Sequence, residues 1–218
     1  MHKVSIETKL KEGRGSGTGA DYKPWIRIGE INSKGTCALV TDWKHGRAVH
    51  CLSQAEVMAY HILRWNDDNI DIREQYPLNN VATKSIAHEL GIPHSVGAKG
   101  VYTTDFLVVK RDGTFEAYSV KSSRNLSKRQ LRTMAVEEKY WQERKVKFNV
   151  LYKDELNRNL YSNIRLMVPY YRKENVYNRI TGFRHKVAVK KVFLDMMSKV
   201  LTDKDIEDIL KAGGYLEE

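Results

Sequence analysis

A chain of 218 residues with a 41% hydrophobic share is long enough to bury a sizeable core, as one large domain or one domain with a small appendage. No apolar run nears the ~20 residues of a membrane span, Met1-His2-Lys3-Val4-Ser5 opens no signal-peptide core, and two cysteines outside any CxxC spacing suggest neither a disulfide framework nor a zinc site, so a soluble intracellular protein is expected. A net charge of +10 and a pI near 9.5 point to a polyanionic partner, nucleic acid before membrane, because the basic residues are spread along the chain.

Residues 1–50 open on Lys9-Leu10-Lys11-Glu12-Gly13-Arg14-Gly15-Ser16-Gly17-Thr18-Gly19. The alternating glycines invite a phosphate-loop reading, but no strand precedes them and no helical pattern follows at once. A flexible basic arm is expected instead, with Lys9, Lys11 and Arg14 as candidate DNA contacts. Short extended pieces follow around Trp25 to Ile31 and Cys37 to Thr41, with a turn at Lys44-His45-Gly46-Arg47. At Leu52 a helix begins: Ser53 is the N-cap, Glu56 completes a capping box, and Met58, Ile62 and Trp65 recur at core-facing spacing. On these residues alone Glu56 reads as a cap. Ile70 to Leu78 reads as a strand ended by Pro77, with Arg73 and Glu74 near its exposed end, and Thr83 to Leu90 as a short helix closed by Gly91. His88 and His94 have no matching ligand set and read as surface polar residues.

The stretch from Thr104 to Lys121 is the strongest local signal. Two β-branched and aromatic runs flank Asp112-Gly113, which predicts a β-hairpin. Alternation puts Ser119 and Lys121 on one face, and the tight turn returns them beside Asp105. A carboxylate and an ammonium at one strand end suit a metal-assisted phosphodiesterase, in which the carboxylate holds Mg²⁺ and the lysine orients a water or stabilises developing charge. The spacing resembles the restriction-endonuclease-like signature of Pro-Asp, a gap, then Asp/Glu-x-Lys, with Thr104 in place of Pro and Ser119 in place of the second acid. A solvated hairpin with an incidental Asp and Lys is the plainer alternative.

Ser127-Lys128-Arg129-Gln130 forms a second capping box and opens a helix to about Lys145, with Leu131, Met134, Glu138 and Trp141 on or beside one stripe. Arg124, Lys128, Arg129 and Arg132 cluster at its start as candidate phosphate contacts. Phe148 to Tyr152 reads as a buried strand. The order helix, strands, helix, strand predicts an α/β core, a mixed sheet flanked by helices over residues 51–160. Residues 161–218 read as a basic, mainly helical C-terminal region for partner docking or DNA contact. Here Tyr170-Tyr171-Arg172-Lys173, Arg179, Arg184, His185 and Lys186 precede a stripe of Val189, Val192, Phe193, Met196, Met197 and Val200, and Thr202 caps a last helix ending at Gly213-Gly214.

Taken together, these segments resemble the TnsA family, the endonuclease subunits of heteromeric cut-and-paste transposases of the Tn-seven type. The resembling stretches are Lys11 to Gly15 with Asp21-Tyr22 and Pro24-Trp25, Leu52-Ser53 with Glu56, Asp71 to Gln75 with Pro77-Leu78, Ile86-Ala87 with Gly91-Ile92 and His94, Thr104 to Val108, Val120-Lys121, and Tyr140 to Gln142. The resemblance implies a restriction-endonuclease-like fold and places the family's helix glutamate on Glu56, its strand aspartate on Asp105 and its lysine on Lys121. Glu56 and Asp105 then become Mg²⁺ ligands, with Mn²⁺ as a substitute. Ser119 stands where the family usually carries Gln, so a serine hydroxyl, a water or the Val120 backbone carbonyl takes over there, and Glu137 is an outer candidate. The family cleaves the 5′ ends of the transposon, the nontransferred strands, beside a DDE transposase, TnsB, and an ATPase, TnsC. Double-stranded DNA and these two proteins are the implied partners, in the bacterial cytoplasm with no membrane. A stand-alone restriction or repair nuclease of the same fold, and a catalytically weakened DNA-binding subunit, are the competing readings.

Overall fold

The computed structural model describes residues 4–30, 36–94, 100–171 and 196–212. The chain divides into two compact units, Met1–Glu155 and Leu156–Glu218.

The first 50 residues fall within the first unit, and their start is an ordered element in place of the expected flexible arm. Helix α1 (Ile6–Lys11) is capped by the Ser5 hydroxyl, which accepts from Thr8 N at 3.1 Å. Arg14 is buried between Glu12 (2.7 Å) and Glu30 (2.5 Å), and Tyr22 donates its hydroxyl to the Glu74 carbonyl at 3.0 Å. Gly15 has φ +79° and a Cβ there would meet Pro77 at 2.3 Å, so the alternating glycines serve close backbone packing. Around Trp25 to Glu30 the chain makes bends and a turn instead of the expected strand.

Strands β1 (Ala38–Thr41) and β2 (Ala48–Cys51) form an antiparallel pair across the expected turn, and α2 (Gln54–Trp65) follows from the Ser53 N-cap. Of the residues expected to face the core from α2, Met58 is buried, while Ile62 and Trp65 are half-buried. The main sheet is β3 (Asn69–Pro77), β4 (Thr103–Lys110), β5 (Phe115–Lys121) and β6 (Lys147–Tyr152) in that spatial order. Its first three strands are antiparallel and β6 runs parallel to β5. The β4–β5 hairpin turns at Asp112-Gly113, where Gly113 takes φ +83° and the Asp112 carboxylate accepts from Thr114 N at 2.9 Å. Pro77 closes β3, which lies at the sheet edge. Its Arg73 and Glu74 are not a solvated pair: Arg73 bonds Asp71 at 2.8 Å, and Glu74 is fully buried against Arg47 at 2.7 Å.

Helices α3 (Asn80–Glu89) and α4 (Lys128–Glu143) cover one face, with Leu78, Ile86, Leu107, Ala117, Val136 and Trp141 in the core. The expected α4 stripe is rotated. Val136, Glu137, Tyr140 and Trp141 are buried, whereas Leu131 and Glu138 are exposed. Three cations in the first two turns keep that end of the helix in solvent, so the inward face begins only in its second half. Strand β6 is half-buried, in keeping with its edge position, where a buried strand was expected. His94 is half-buried, not a surface residue, with its ring edge on Tyr102 and Nε2 3.2 Å from the Thr83 hydroxyl.

In the second unit, α5 (Arg158–Tyr171) carries the buried Asn163, whose amide donates to the Met196 and Lys199 carbonyls at 2.8 Å each and accepts from Leu201 N at 2.7 Å. Helix α6 (Asp203–Ala212) has the expected Thr202 cap, with Asp205 N donating to the Thr202 hydroxyl at 3.2 Å. Met196 is buried but Val200 is exposed, so that stripe is interrupted. The basic run from Arg172 to Lys186, the stripe positions Val189, Val192 and Phe193, and Gly213-Gly214 lie outside the described residues. Among the described residues no helix is long and apolar enough to cross a membrane.

Candidate active site

The site forms where the hairpin stops being a hairpin. Strands β4 and β5 pair from Val109↔Phe115 to Phe106↔Tyr118 and no further. Beyond that point β4 stays with β3 as far as Pro77↔Thr103, while β5 stays with β6 as far as Lys121↔Tyr152. The sheet therefore opens into a fork, and Asp105, Ser119 and Lys121 line it. Asp105 bridges the opening, since its Oδ2 accepts from Val120 N at 2.6 Å in place of a strand carbonyl. Next to it, Thr104 is fully buried and accepts from the Trp141 indole at 2.7 Å, which fastens this end of β4 to α4. A proline at position 104 would offer no such acceptor.

Lys121 donates to the Ser119 hydroxyl at 2.6 Å and joins no ion pair among the described residues. Ser119 is fully buried and also hydrogen-bonds Glu137, which α4 turns inward. The lysine thus rests on a serine backed by a buried carboxyl, and the Ser119 hydroxyl is engaged with its neighbours. Glu137 has one oxygen, Oε2, with no hydrogen-bond partner. Burial above all, and then the charge of Asp105, push its carboxyl up to about 8, against the pull of Lys121 and Ser119.

Glu56 arrives from the first turn of α2. Its Oε1 accepts from the Ser53 hydroxyl at 2.9 Å, and its Oε2 from Leu52 N at 2.9 Å and the Gln75 amide at 3.2 Å. Ser53 caps the helix, with Glu56 N donating to its hydroxyl at 3.2 Å, but the expected capping box does not close: the Glu56 carboxylate accepts from Leu52 N in place of Ser53 N, and its Oε1 accepts only one bond. Burial first and the charge of Asp105 second push the Glu56 carboxyl up to about 8, against its Leu52 and Ser53 donors and Lys121. Glu56 therefore serves the helix start and still keeps spare acceptor capacity on Oε1.

Among the described residues no group of three or more His, Cys, Asp or Glu side chains is placed to hold a metal ion unaided. The residues present nonetheless fit a hard dication. Glu56 and Asp105 offer only oxygen, their charges oppose each other across the fork, and Mg²⁺ is commonly held by one or two carboxylates with several waters. Both raised glutamates bind protons more tightly folded than unfolded, so their stabilisation is full below pH ~4.5 and is lost as pH rises toward 8. Thermal melting of the metal-free protein should therefore fall between pH 6 and 8.5, and millimolar Mg²⁺ should restore more of it at pH 8.5 than at pH 6. Glu56→Gln should flatten both trends; a melting profile that ignores pH and Mg²⁺ alike contradicts this site.

The expected DNA contacts separate into two groups. Lys128, Arg129 and Arg132 are exposed and form no ion pair among the described residues, whereas Arg124 is held by Asp154 (2.9 Å) and Glu155 (2.5 Å). Arg14 is buried in ion pairs, Lys9 pairs with Glu30 at 3.4 Å, and Lys11 is exposed beside Glu7 at 3.0 Å. Arg14 therefore presents no guanidinium to a phosphate; its role is to bind the N-terminal segment together. Gln75, buried against Glu56, was missed as a site residue. The one available signal was an uncharged polar residue beside a glutamate in a strand that should alternate.

Residues 66–153 match the family model described as TnsA-like endonuclease N terminal, a span that includes Asp105, Ser119, Lys121 and Glu137. The chain is 36% identical over 166 residues to the Transposon Tn7 transposition protein TnsA of Escherichia coli, covering 74% of this chain. It spans 61% of that relative's length. With the mixed sheet, the forked hairpin and its Asp and Lys all in place, residues 66–153 form a TnsA-like endonuclease N-terminal domain.

Proposed function

We propose that the chain is the endonuclease subunit of a Tn7-type transposition system, hydrolysing the 5′, nontransferred strands at transposon ends with Mg²⁺, alongside a TnsB-like transposase and a TnsC-like ATPase. The observation that carries this reading is the fork itself, which gathers Asp105, Ser119 and Lys121 from β4 and β5, together with Glu56 of α2, which Gln75 of β3 binds and whose carboxyl feels the charges of Asp105 and Lys121. Glu56 and Asp105 would hold Mg²⁺, which when bound neutralises phosphate charge and lowers the pKa of a coordinated water. Lys121, kept in place by Ser119, presents its ammonium to the scissile phosphate and to the charge that develops on it. The Trp141 to Thr104 bond keeps the Asp105 end of β4 still. A weakened DNA-binding subunit finds less support, because the serine at position 119 is built into the support of Lys121 rather than left as a gap.

Incubating the chain with transposon-end DNA, Mg²⁺ and its two partners, and then omitting each in turn, tests the proposal. Cleavage that needs the partners supports a transposase subunit. Cleavage by the chain alone supports a stand-alone nuclease, and no cleavage under any condition defeats the enzymatic reading.

DNA is expected to dock at the start of α4. Lys128, Arg129 and Arg132 oppose the positive end of the helix macrodipole, and no acidic residue offsets them in the first turn, so the helix itself gains nothing from them. Replacing all three with Ala should reduce the slope of log affinity against log salt by about 2.7, or 0.9 for each phosphate released, whereas Arg124→Ala should change it little. An unaltered slope in the triple variant would remove this face from the DNA path.

A further inference from the structure

We infer that Gln75 is a positioning residue for Glu56, held in a left-handed backbone conformation so that its amide fixes the direction of that carboxylate. The inference rests on the function proposed above and adds a residue to its site. Gln75 sits in β3 between the pairs Glu74↔Phe106 and Tyr76↔Thr104, in register with Asp105. Its φ is +48°, one of two positive values among the described non-glycine residues. A side chain with a Cβ avoids this region unless its surroundings compel it, and such residues concentrate at functional sites.

The surroundings here are specific. The Gln75 carbonyl accepts from Trp25 N at 3.3 Å, so the turned peptide is tied to the N-terminal segment. Its side chain is buried, with Nε2 donating to Glu56 Oε2 at 3.2 Å and Oε1 accepting from the Thr103 hydroxyl at 3.3 Å. Thr103 thereby fixes which end of the amide faces Glu56. Ordinary strand geometry would send residues 74 and 75 to opposite faces, yet both are buried: Glu74 against Arg47, Gln75 against Glu56. The local twist thus lets one edge strand support the hairpin β1–β2 and the fork at successive positions. A glycine would adopt this backbone freely but would carry no amide; the glutamine keeps the donor in spite of the conformational cost.

The test compares the full-length protein with Gln75→Met, Gln75→Asn and Thr103→Val, reading Mg²⁺ affinity by calorimetry, melting temperature, and cleavage of transposon-end DNA. Gln75→Met keeps the length and loses the donor; Gln75→Asn keeps the amide, suits positive φ better, and falls one methylene short. Both are expected to melt within a few degrees of wild type while binding Mg²⁺ roughly ten- to a hundredfold more weakly, as when a partner of a metal ligand is lost. Thr103→Val, which leaves the Gln75 backbone untouched, is expected to weaken Mg²⁺ binding roughly threefold, the lower range of one neutral hydrogen bond. Should Gln75→Met prove unfolded, Gln75→Asn and Thr103→Val decide alone. Wild-type affinity in the folded variants overturns the role of Gln75 and leaves the site intact, whereas a wild-type protein that itself binds no Mg²⁺ and cuts no DNA overturns the site and this inference together.

Discussion

Asp105→Asn should lower Mg²⁺-dependent cleavage on the order of a thousandfold, about 4 kcal/mol at the transition state, while the protein stays folded. Asparagine is the informative replacement. The Asp105 carboxylate accepts from Val120 N at 2.6 Å across the open end of the hairpin, and alanine would leave that donor unpaired, costing about 1–3 kcal/mol of stability on its own. An amide oxygen keeps the bond and removes only the negative charge. The same change should relieve Glu56, whose carboxyl is raised first by burial and then by Asp105, and let it ionise at lower pH. Two measurements therefore bear on one residue: cleavage rate on end DNA, and the pH dependence of melting. Near-normal cleavage by Asp105→Asn, with the protein folded and binding DNA, would remove Asp105 from the chemistry.

Much of the molecule was legible because its signals are local. The Asp112-Gly113 turn, the Ser53 and Ser127 N-caps and the β4–β5 pairing each depend on residues a few positions apart, and each forms as expected, although Phe106, Leu107 and Val108 are buried in succession where alternation was expected. Hidden were the features made by pairing distant residues. Arg14 looked like part of a solvated basic arm because nothing local indicates that Glu12 and Glu30 will enclose it. Ser119 looked like a gap in the motif because its partners are Lys121 on the same strand and Glu137 on the next helix. The inward turn of Glu137 was obscured by the wrong choice of stripe on α4, where Leu131 is exposed and Val136 is buried. Gln75 escaped because a positive φ at glutamine is imposed by tertiary contacts, and the only local trace, a polar residue beside Glu74 in the strand, does not say where its amide points.

The buried pair of Asp42 and Arg64 shows how far the scaffold can be separated from the chemistry. Both side chains are fully buried, with Arg64 Nε 2.8 Å from Asp42 Oδ1, and the guanidinium also donates to the Asn69 and Ile70 carbonyls at 3.3 and 3.2 Å. It ties the last turn of α2 to the β1–β2 turn and to the start of β3, whereas Glu56 lies in the first turn, eight residues or ~12 Å away along the helix. Burial opposes ionisation of Asp42, but Arg64 and the Lys44 N–H outweigh it and hold the carboxyl below its usual range, so its stabilising contribution is present at neutral pH and is lost only as pH falls below about 3.8. Arg64→Met keeps the volume and leaves Asp42 as an uncompensated buried charge, which should destabilise the first unit by about 3–5 kcal/mol and lower its melting temperature by roughly 10 °C or more. Adding Asp42→Leu removes the stranded charge and should recover part of that loss, though not all, because the Lys44 N–H and the Asn69 and Ile70 carbonyls lose their partners. At a temperature where Arg64→Met is still folded, cleavage per folded molecule should match wild type, because no atom of this pair touches Glu56, Asp105 or Lys121. A variant that melts normally would show the pair to be energetically neutral, and one that melts normally but fails to cut would mean that α2 transmits a change at its far end to Glu56.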